Sequence, residues 1–447
     1  RKPTPSGIIA ASVLCFCALN PRDAVGPAFL LSVVATVAII TATTKHASFW
    51  YTQLIISVRS MVATAPLVIW CFGGVPLIGL LANLSLVPVA SYVLMPLSFG
   101  LAFIALVWRK AAVILGTLLR WGCELFVYAC TLFEKIRWGT VTPPLSIAQG
   151  LILAIACIAI LIGRSWRFRF SVMGCAILLF ASTEWHLRHQ EKPHGKLRAT
   201  FLDVGQGDAA LVDLPDGKLM LIDTGGSIHG SPDPGLHVIT PLLKARRRFH
   251  IDIVVISHPH PDHYGGLPAL LNEFSIGELW DNGQAYAEDP QGMFSTMLQT
   301  ARHRGIRIVP TNALCNKPRY YANAKVEVLW PCPGYDPSLD INDNSLVIRI
   351  ATKEQSFLLT GDIEEAGERS LLLRHPDLHT HVLKVPHHGS RTSSSAEFVA
   401  AVKPHTAIIS AGRHNRFGHP HAEVVSRFKQ YGITTISLAQ HGGLILH

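Results

Sequence analysis

The stretch "ISHPHPDHYGG", residues Ile256–Gly266, places three histidines and one aspartate within six residues. An apolar run of mostly branched residues, 251–256, leads into it and predicts a buried β-strand. Loops at the carboxyl ends of strands are where α/β proteins form their sites. This loop offers candidate ligands for a borderline divalent metal such as zinc or manganese: His258, His260, Asp262 and His263.

The spacing of these residues suits two metal ions. Alternate residues of an extended loop point the same way, so His258 and His260 can hold one ion. Asp262 and His263 can then reach a second ion beside it. A two-metal site activates water and clamps a phosphate during in-line displacement. The competing interpretation, a histidine-rich surface loop, does not explain why the cluster follows an apolar strand.

Three other predicted strands also end in a possible ligand. "FLLTGD" ends on Asp362, which is well placed to bridge two metals, and "LKVPHHGS" ends on His387 and His388. "LIDTG" ends on Asp223. This aspartate is either only a turn residue or part of the site, where it would hydrogen-bond the loop or bind metal. We therefore expect the fold to bring these strand ends together.

Polar and apolar residues are distributed unevenly along the 447 residues. Residues 1–185 contain long apolar runs and few charges, whereas residues 196–447 contain charges, Asp-Gly turns and alternating strands. Short strands followed by mixed α/β units over about 250 residues predict sheets sandwiched between helices. The formal net charge of +9 favours polyanionic partners such as nucleic acid or anionic lipid. Cytoplasmic loops of membrane proteins also carry such an excess.

The apolar part contains stretches that approach the roughly 20 residues that a membrane-spanning helix needs. They are Gly7–Leu19, Ala24–Thr44, Met61–Leu81, Leu84–Val107, Ala111–Phe133, Ser146–Gly163 and Phe170–Thr183. Pro88 and Pro96 interrupt the fourth stretch. This interruption predicts either a broken helix that lines a cavity or pore, or a plain kink.

Positive charge is concentrated in every second connection between these stretches. The rich connections contain Arg1 and Lys2, then Lys45 and Arg59, then Arg109 and Lys110, then Arg164, Arg167 and Arg169. The positive-inside rule makes such connections cytoplasmic, so we expect residues 196–447 to lie outside the cytoplasmic membrane. In that oxidising compartment Cys315 and Cys332 could form a disulfide.

The motifs resemble those of known families. "HPHPDH" with "TGD" and "HHGS" is similar to the metallo-β-lactamase superfamily, and "FLDVGQGDAALV", "LIDTGG" and "GHPH" are similar to the hydrolase domain of the ComEC family of competence proteins. "NPRDAVGPAFLLSVVATVAII" resembles the membrane domain of that family. The resemblance implies a multi-domain chain: an α-helical polytopic membrane domain over 1–185, then an α/β metallo-β-lactamase fold, an αββα sandwich, over 196–447. The start at Arg1, without Met or signal peptide, indicates a fragment of a longer protein.

The resemblance also implies two divalent ions, manganese or zinc, and these metal ligands: His258, His260, Asp262, His263, Asp362, His387 and His388. Within that set, His258 and His260 resemble first-metal ligands, and Asp362 resembles the bridging carboxylate. The "DVGQGD" turn and an early aspartate supply residues beside the metals: Asp203, Gln206, Asp208 and Asp223. The residues expected to act in catalysis are Asp262, His263, Asp362 and His421.

One expected ligand is missing. Many members of the superfamily have a further histidine before the strand that leads to the bridging aspartate. The corresponding segment here reads "DINDNSLV" and contains no histidine. We expect Asn342, Asp343 or Asn344 to substitute for it. An oxygen ligand in that place would favour manganese over zinc.

Two basic segments are candidates for binding DNA. The loop "RHNRFGHPH" contains His414, Asn415, Arg416, His419 and His421, which suit a phosphate oxygen or a leaving-group proton. Its other interpretation is a solvated basic loop. Ser390 of "HHGS" is expected on the substrate side. "KARRRFH", Lys244–His250, either follows a DNA backbone by charge or is the exposed end of a helix.

These inferences predict a DNA-uptake protein of the bacterial inner membrane. Double-stranded DNA would arrive outside, a metal-dependent nuclease would degrade one strand, and the other would pass through the membrane domain. The alternatives are a DNA channel with an inactive, structural hydrolase domain, or a membrane-tethered hydrolase of another phosphodiester. The chain contains no nucleotide-binding GxxxxGK[ST] loop. We therefore expect separate partners, namely a DNA receptor and a cytoplasmic ATPase or single-strand-binding protein, and allow for a homodimer.

Overall fold

The computed structural model describes residues 5–42, 48–136, 140–141, 144–163, 165–191, 193, 195–226, 233–315, 317–413 and 415–447. The chain divides into two compact units, Arg1–His186 and Leu187–His447. Six residues named above lie outside the described residues: Arg1, Lys2, Thr44, Lys45, Arg164 and His414.

The first unit is built from helices. They are α1 (Pro5–Leu19), α2 (Pro27–Ile40), α3 (Phe49–Phe72), α4 (Gly79–Val89), α5 (Met95–Val107), α6 (Arg109–Glu134), α7 (Ile147–Ile162) and α8 (Trp166–Gln190). Two short antiparallel strands, β1 (Val75–Pro76) and β2 (Thr140–Val141), pair with each other. Within the described residues, α3, the stretch 79–107, α6 and α8 are long and apolar enough to cross a membrane, by length and composition. The apolar helices of α1, α2 and α7 are shorter.

The bounds of two predicted spans were wrong. The third span was predicted over Met61–Leu81, but α3 begins twelve residues earlier, at Phe49, and ends at Phe72. The Ser48 side chain accepts a hydrogen bond from the amide of Tyr51 and so caps the helix start. Gly73 takes a left-handed conformation with φ of 75° and ends it. The last span was predicted over 170–183, whereas α8 is longer at both ends.

The helix that contains both prolines stays continuous. Helices α4 and α5 are joined by a π-helical segment, Ala90–Leu94, which lies between Pro88 and Pro96. Proline removes a backbone donor, and a π segment is a common local response to a disturbed hydrogen-bond ladder. The interruption is therefore a distortion within one helix, not a separation into two half-helices.

The second unit contains two seven-stranded sheets. Its strands are β3 (Arg198–Phe201), β4 (Ala210–Asp213), β5 (Leu219–Ile222), β6 (His250–Val255), β7 (Ser275–Asp281), β8 (Arg307–Pro310), β9 (Arg319–Tyr321), β10 (Ala324–Trp330), β11 (Val347–Ala351), β12 (Ser356–Leu359), β13 (Val382–Lys384), β14 (Thr406–Ile409), β15 (Thr434–Ser437) and β16 (Leu444–Leu446). The first sheet has the order β16-β3-β4-β5-β6-β7-β8, and the second has the order β15-β14-β13-β12-β11-β10-β9.

Nine α-helices are described in this unit after β5. They are α9 (Thr240–Ala245), α10 (Pro261–Tyr264), α11 (Leu267–Glu273), α12 (Gln284–Glu288), α13 (Met293–His303), α14 (Glu365–Arg374), α15 (Ala396–Val402), α16 (Ala422–Gln430) and α17 (Leu438–His441). Strands β5 to β8 run parallel, as do β12 to β15. The remaining pairs in both sheets are antiparallel.

Three apolar layers confirm the predicted αββα sandwich. Phe201 and Phe357, from different sheets, belong to one buried cluster between the sheets. A second cluster packs the first sheet against its helices through residues such as Leu298 of α13. A third packs the second sheet against α15 and α16 through Phe398 and Phe428. Each fully buried side chain of this size contributes about 1.5–3 kcal/mol to the free energy of folding.

The basic segment Lys244–His250 has a structural role. Arg246 and Arg248 form ion pairs with Asp213, at 3.5 and 2.9 Å, and Arg198 forms a third at 2.8 Å. The Asp213 side chain is fully buried, so its charge needs these cations. The arrangement ties the end of α9 to the first sheet, which favours the structural interpretation of the segment over DNA tracking.

Cys315 and Cys332 form a disulfide in the structure, with their Cα atoms 5.6 Å apart. Cys315 follows a short 3-10 helix after β8, and Cys332 follows β10. The bond joins the edge strand of the first sheet to the second sheet's β10. The other cysteines in the described residues are free and lie in the first unit.

Candidate metal centre

The candidate ligands lie where parallel strands of both sheets end. Asp223 follows β5, His258 follows β6, Asp362 follows β12 and His388 follows β13. The carboxyl ends of parallel strands lie at one edge of a sheet, so their loops meet there. Both sheets present this edge at the same end of the sandwich.

Four predicted ligands converge on one point: Asp262, His263, Asp362 and His388. Their ligand atoms all lie within 4.8 Å of one another. The Oδ2 atom of Asp362 is 3.1 Å from Nε2 of His263 and 3.2 Å from Nε2 of His388. That same nitrogen of His388 is 3.5 Å from Oδ2 of Asp262. We call these four residues the mixed ligand group.

The mixed ligand group fits a divalent cation. The Nε2 atoms of His263 and His388 are buried and make no hydrogen bond of acceptable geometry, although both face the Asp362 carboxylate. Buried carboxylates need a compensating cation, and two imidazoles with two carboxylates are a donor set that zinc or manganese accepts. The residues present therefore suit the metal that the sequence implies.

Outer hydrogen bonds orient both imidazoles. His263 donates from Nδ1 to Oδ2 of Asp223 over 2.9 Å, and Asp223 also accepts the amide of Ser257 at 2.7 Å. His388 donates from Nδ1 to the carbonyl of Ser410 over 2.8 Å. A donor bond at Nδ1 leaves Nε2 facing the cluster, which is how outer partners set the tautomer of a metal-binding histidine. Asp223 is thus a partner of a candidate ligand as well as a turn residue.

His258 and His260 form a second pair, and the ring centre of His258 lies 4.2 Å from that of His263. Nε2 of His258 lies 3.0 Å from Nδ1 of His260. The other ring nitrogen of His258 lies 3.1 Å from the Ser257 hydroxyl and 3.2 Å from the Ser345 hydroxyl. The Ser345 hydroxyl also accepts the amide of Asp362 at 3.0 Å. We call His258 and His260 the histidine pair.

The three residues expected to replace the missing histidine make other contacts. Asn342 donates to Glu364 over 3.1 Å. Asp343 accepts the amides of Glu364 and Gly367, each at 2.8 Å, at the start of α14. Asn344 donates to three carbonyls of its own loop. In this segment Ser345 is the residue whose side chain reaches His258.

Lys384 is a site residue that the sequence analysis missed. Its ammonium is buried, forms an ion pair with Asp208, and lies 3.6 Å from Oδ1 of Asp362. It also donates to the carbonyl of Gly361 over 3.1 Å. The signal was present in "LKVPHHGS", where a lysine occupies a buried position of a short strand. Lys384 balances the buried carboxylate that lies behind the mixed ligand group.

The histidine pKa values are shifted in opposite directions in the two groups. Burial opposes protonation of His263, but the carboxylates of Asp362 and Asp223 outweigh it and hold its pKa well above the ordinary range. The pKa of His388 is raised in the same way by Asp362 and Asp208. The pKa of His258 is held well below the ordinary range by burial and by the nearby charge of His263. Burial also lowers the pKa of His260.

Backbone strain marks the same loops. His387 and His388 both have positive φ, 46° and 55°, in the left-handed region that side chains with a Cβ avoid. Such residues cost about 1–3 kcal/mol each and are found mainly where function requires them. Gly207 has φ of 128°, and a Cβ there would lie 2.3 Å from the carbonyl of Asp262. The "DVGQGD" turn therefore needs this glycine to bring Asp208 beside the ligand loop.

The other predicted residues surround the cluster at greater distance. His387 has Nε2 4.0 Å from Asp362 and is held by Glu364, 2.8 Å from its Nδ1. Asp203 is exposed and accepts the amide of Gly205 within its turn. The Gln206 side chain accepts a hydrogen bond from the Gly412 amide, and the hydroxyls of Ser390 and Thr392 are hydrogen-bonded to each other. The backbone amide of His421 donates to the Gly389 carbonyl. Asn415, Arg416 and His419 lie in the loop above His387 and His388.

Two protein-family models match this chain, one in each of its two parts. Residues 1–170 match the family model described as "Competence protein". Residues 202–413 match the family model of the metallo-beta-lactamase superfamily.

Curated competence and recombination proteins are similar to this chain. ComE operon protein 3 of Bacillus subtilis is 32% identical over 54% of this chain and 32% of its own length. Competence protein ComA of Neisseria gonorrhoeae is 29% identical over 84% of this chain and 48% of its own. Recombination protein 2 of Haemophilus influenzae is 27% identical over 82% of this chain and 46% of its own. The chain thus has a competence-protein domain followed by a metallo-beta-lactamase domain, and these relatives confirm its resemblance to the ComEC family. It spans 32–48% of the length of these relatives.

Solved structures also resemble this chain. A diiron β-hydroxylase from Streptomyces venezuelae is 17% identical, with a TM-score of 0.38, over 56% of this chain and 54% of the other. A metallo hydrolase from Ignicoccus hospitalis is 15% identical, with a TM-score of 0.36, over 56% of this chain and 99% of the other.

Proposed function

We propose that this ComEC-family chain takes part in DNA uptake, with its second unit acting as a metal-dependent nuclease on the strand that is not transported. The observation that carries the proposal is the convergence of two imidazoles and two carboxylates within 4.8 Å. This donor set lies at the strand ends of a metallo-β-lactamase fold and suits phosphodiester hydrolysis. The competence-protein match over residues 1–170 is the reason to assign this activity to DNA transport.

The proposed site holds two divalent ions, manganese or zinc. The mixed ligand group would hold one ion, and the histidine pair would hold the other, with Asp362 between them. Bound ions polarise a phosphate and lower the pKa of a water molecule, which is the chemistry that the reaction needs. Asp223 and the Ser410 carbonyl keep the His263 and His388 rings in the orientation that binding requires.

The chain's other residues have defined tasks in this proposal. Arg416 is exposed in the loop that contains His419 and would bind non-reacting phosphate oxygens. His421, whose ring centre is 5.1 Å from that of His419, would carry the proton to the leaving oxygen. Lys384 keeps Asp208 and Asp362 compensated from behind the ligands.

We also propose that the second unit lies on the outer face of the bacterial inner membrane. The apolar helices of the first unit support a multi-pass protein, and the Cys315–Cys332 disulfide supports an oxidising compartment for the second unit. The proposed partners are a DNA receptor, a cytoplasmic ATPase or single-strand-binding protein, and a second copy of the chain.

The test is hydrolysis of end-labelled DNA by the purified full chain with manganese, zinc or magnesium. The control carries Asp262→Ala and His263→Ala, which remove two members of the mixed ligand group. Metal-dependent cutting that the control lacks supports the nuclease. A folded chain that cuts no DNA with any of these ions would instead favour a DNA channel with a structural hydrolase domain.

A further inference from the structure

A column of planar side chains leads from the metal centre to the protein surface. The ring centres of His388 and His419 are 6.2 Å apart, with 30° between the planes. Those of His419 and Phe417 are 5.6 Å apart, with 23° between the planes. The guanidinium carbon of Arg416 lies 5.0 Å from the centre of the Phe417 ring. A candidate ligand and an exposed arginine are thus connected by nearly parallel rings.

The loop that carries this column is held by its own hydrogen bonds. The Asn415 side chain donates to the carbonyls of Gly412 and His419, each over 2.7 Å, and accepts the amide of His419 at 2.9 Å. The amide of His421 donates to Gly389, next to His388, over 2.9 Å. The planar groups are therefore positioned before any substrate arrives, so ordering them costs little on binding.

The outer end of the column is exposed. Phe417 has 42% of its surface in solvent, although burying a phenylalanine contributes about 1.5–3 kcal/mol to folding. Arg416 is exposed beside it. Core packing does not explain an aromatic ring in this place, and a phenyl ring makes no hydrogen bond to a phosphate group. The ring can instead stack on a ligand that contains a planar ring.

We propose that Arg416, Phe417 and His419 form a stacking platform for the unpaired base next to the phosphate at the metal centre. This inference rests on the proposed nuclease and specifies its substrate as single-stranded DNA. A base within a duplex has both faces covered by its neighbours, whereas an unpaired base can stack on an aromatic ring or a guanidinium plane. The positive charge of Arg416 also complements the DNA backbone.

The test compares two ligands that differ only in their bases. One is a short fluorescent single-stranded DNA, and the other is an oligonucleotide of equal length that is abasic throughout. Their affinities for the full chain are measured by fluorescence anisotropy in a chelator, which prevents hydrolysis. We expect the chain to bind the strand with bases more tightly.

Three substitutions then locate the preference for bases. Phe417→Leu keeps an apolar side chain and removes the ring, and Arg416→Lys keeps the charge and removes the plane. Each should lower the preference, and Phe417→Leu should do so by about 5- to 150-fold with abasic binding unchanged. Phe417→Trp should keep it. Tyr320→Leu, at an exposed aromatic on the edge strand β9, is the matched control and should behave like the parent.

Two results would overturn the platform. One is a preference that Phe417→Leu leaves intact, and the other is an equal loss of affinity for both ligands. The nuclease is read separately, from cutting with manganese. A chain that cuts no DNA but keeps a Phe417-dependent preference loses the nuclease and retains the platform. A chain that cuts DNA without that preference retains the nuclease and loses the platform.

Discussion

The mixed ligand group and the histidine pair are neighbours, yet they are built differently. His263 and His388 face two carboxylates, and outer hydrogen bonds fix both rings. His258 and His260 face each other, and Nδ1 of His258 also faces two serine hydroxyls. The His263 ring lies 4.2 Å from that of His258, but among the described residues no carboxylate groups with this pair as a metal donor. Ligand number and charge therefore predict tight binding of metal at the mixed group and weaker binding at the pair.

Replacement of the buried lysine beside the mixed ligand group should have the largest effect on stability. Lys384→Met leaves Asp208 as a buried carboxylate without its cation, which should lower the free energy of unfolding by about 3–5 kcal/mol. Chemical denaturation of the metal-free protein measures the change. Lys244→Met, at a surface ion pair with Glu273, is the control and should cost about 0–1 kcal/mol. Equal effects of the two substitutions would show that Lys384 does not compensate Asp208.

Asp362 is the carboxylate that we propose both metal positions share. Asp362→Ala should lower metal-dependent activity by more than the roughly 100-fold that loss of an outer partner costs. Metal content, measured by atomic emission, should fall at both positions. Asp203→Ala, in the exposed part of the "DVGQGD" turn, serves as the control. A variant that keeps its full metal content would contradict the bridging role.

The opposite pKa shifts of the two groups predict different pH dependence of metal binding. In the metal-free protein His263 and His388 have raised pKa values, so an ion at the mixed group must displace their protons. Its affinity should rise with pH through neutrality, by about tenfold per pH unit for each proton released. His258 has a lowered pKa and is already neutral, so binding at the pair should change little. Calorimetry in buffers of different ionisation enthalpy counts the protons.

The outer hydrogen bond to His263 should have a smaller effect. Asp223→Asn keeps the shape of the side chain but weakens the acceptor for Nδ1, so metal affinity at the mixed group should fall about 10- to 100-fold. Competition with a chelator measures it. Asp252→Asn, in the adjacent strand β6 and remote from the strand end, should leave affinity unchanged. An unchanged affinity in Asp223→Asn would assign this aspartate to the turn alone.

The histidine pair should give the smallest effect on the tighter ion. His258→Ala with His260→Ala should remove about one ion per chain. Affinity at the mixed group should change by less than roughly tenfold, the lower limit for loss of an outer partner, since the mixed group keeps its own four ligands. Titration followed by metal analysis measures both quantities. Loss of both ions together would show that the two positions are one cooperative site.

Local sequence predicted the ligand loop because the chemistry is local there. An apolar strand followed by "HPHPDH" specifies both a strand end and a donor set within a few residues. The sandwich was predictable for a similar reason, since the spacing of apolar residues distinguishes strands from helices and indicates which face of each is buried. The start of α3 was not, because it depends on a cap at Ser48 rather than on apolar content.

Other features depend on contacts between distant residues. Lys384 and Asp208 form an ion pair although they are far apart in the sequence, and only the packing of both sheets brings them together. The same holds for Ser345 beside His258 and for Glu364 beside His387. The stacked column of His388, His419 and Phe417 depends on a loop conformation that Asn415 fixes.

The sequence by itself thus determined the two-part organisation, the fold class and the candidate ligands, because hydropathy, periodicity and motif spacing are properties of neighbouring residues. Tertiary structure decided which ligands share one point, which carboxylates a buried lysine compensates, and which rings stack toward the surface. Those outcomes depend on distances between residues far apart in the chain, and side-chain chemistry acts only over a few ångströms.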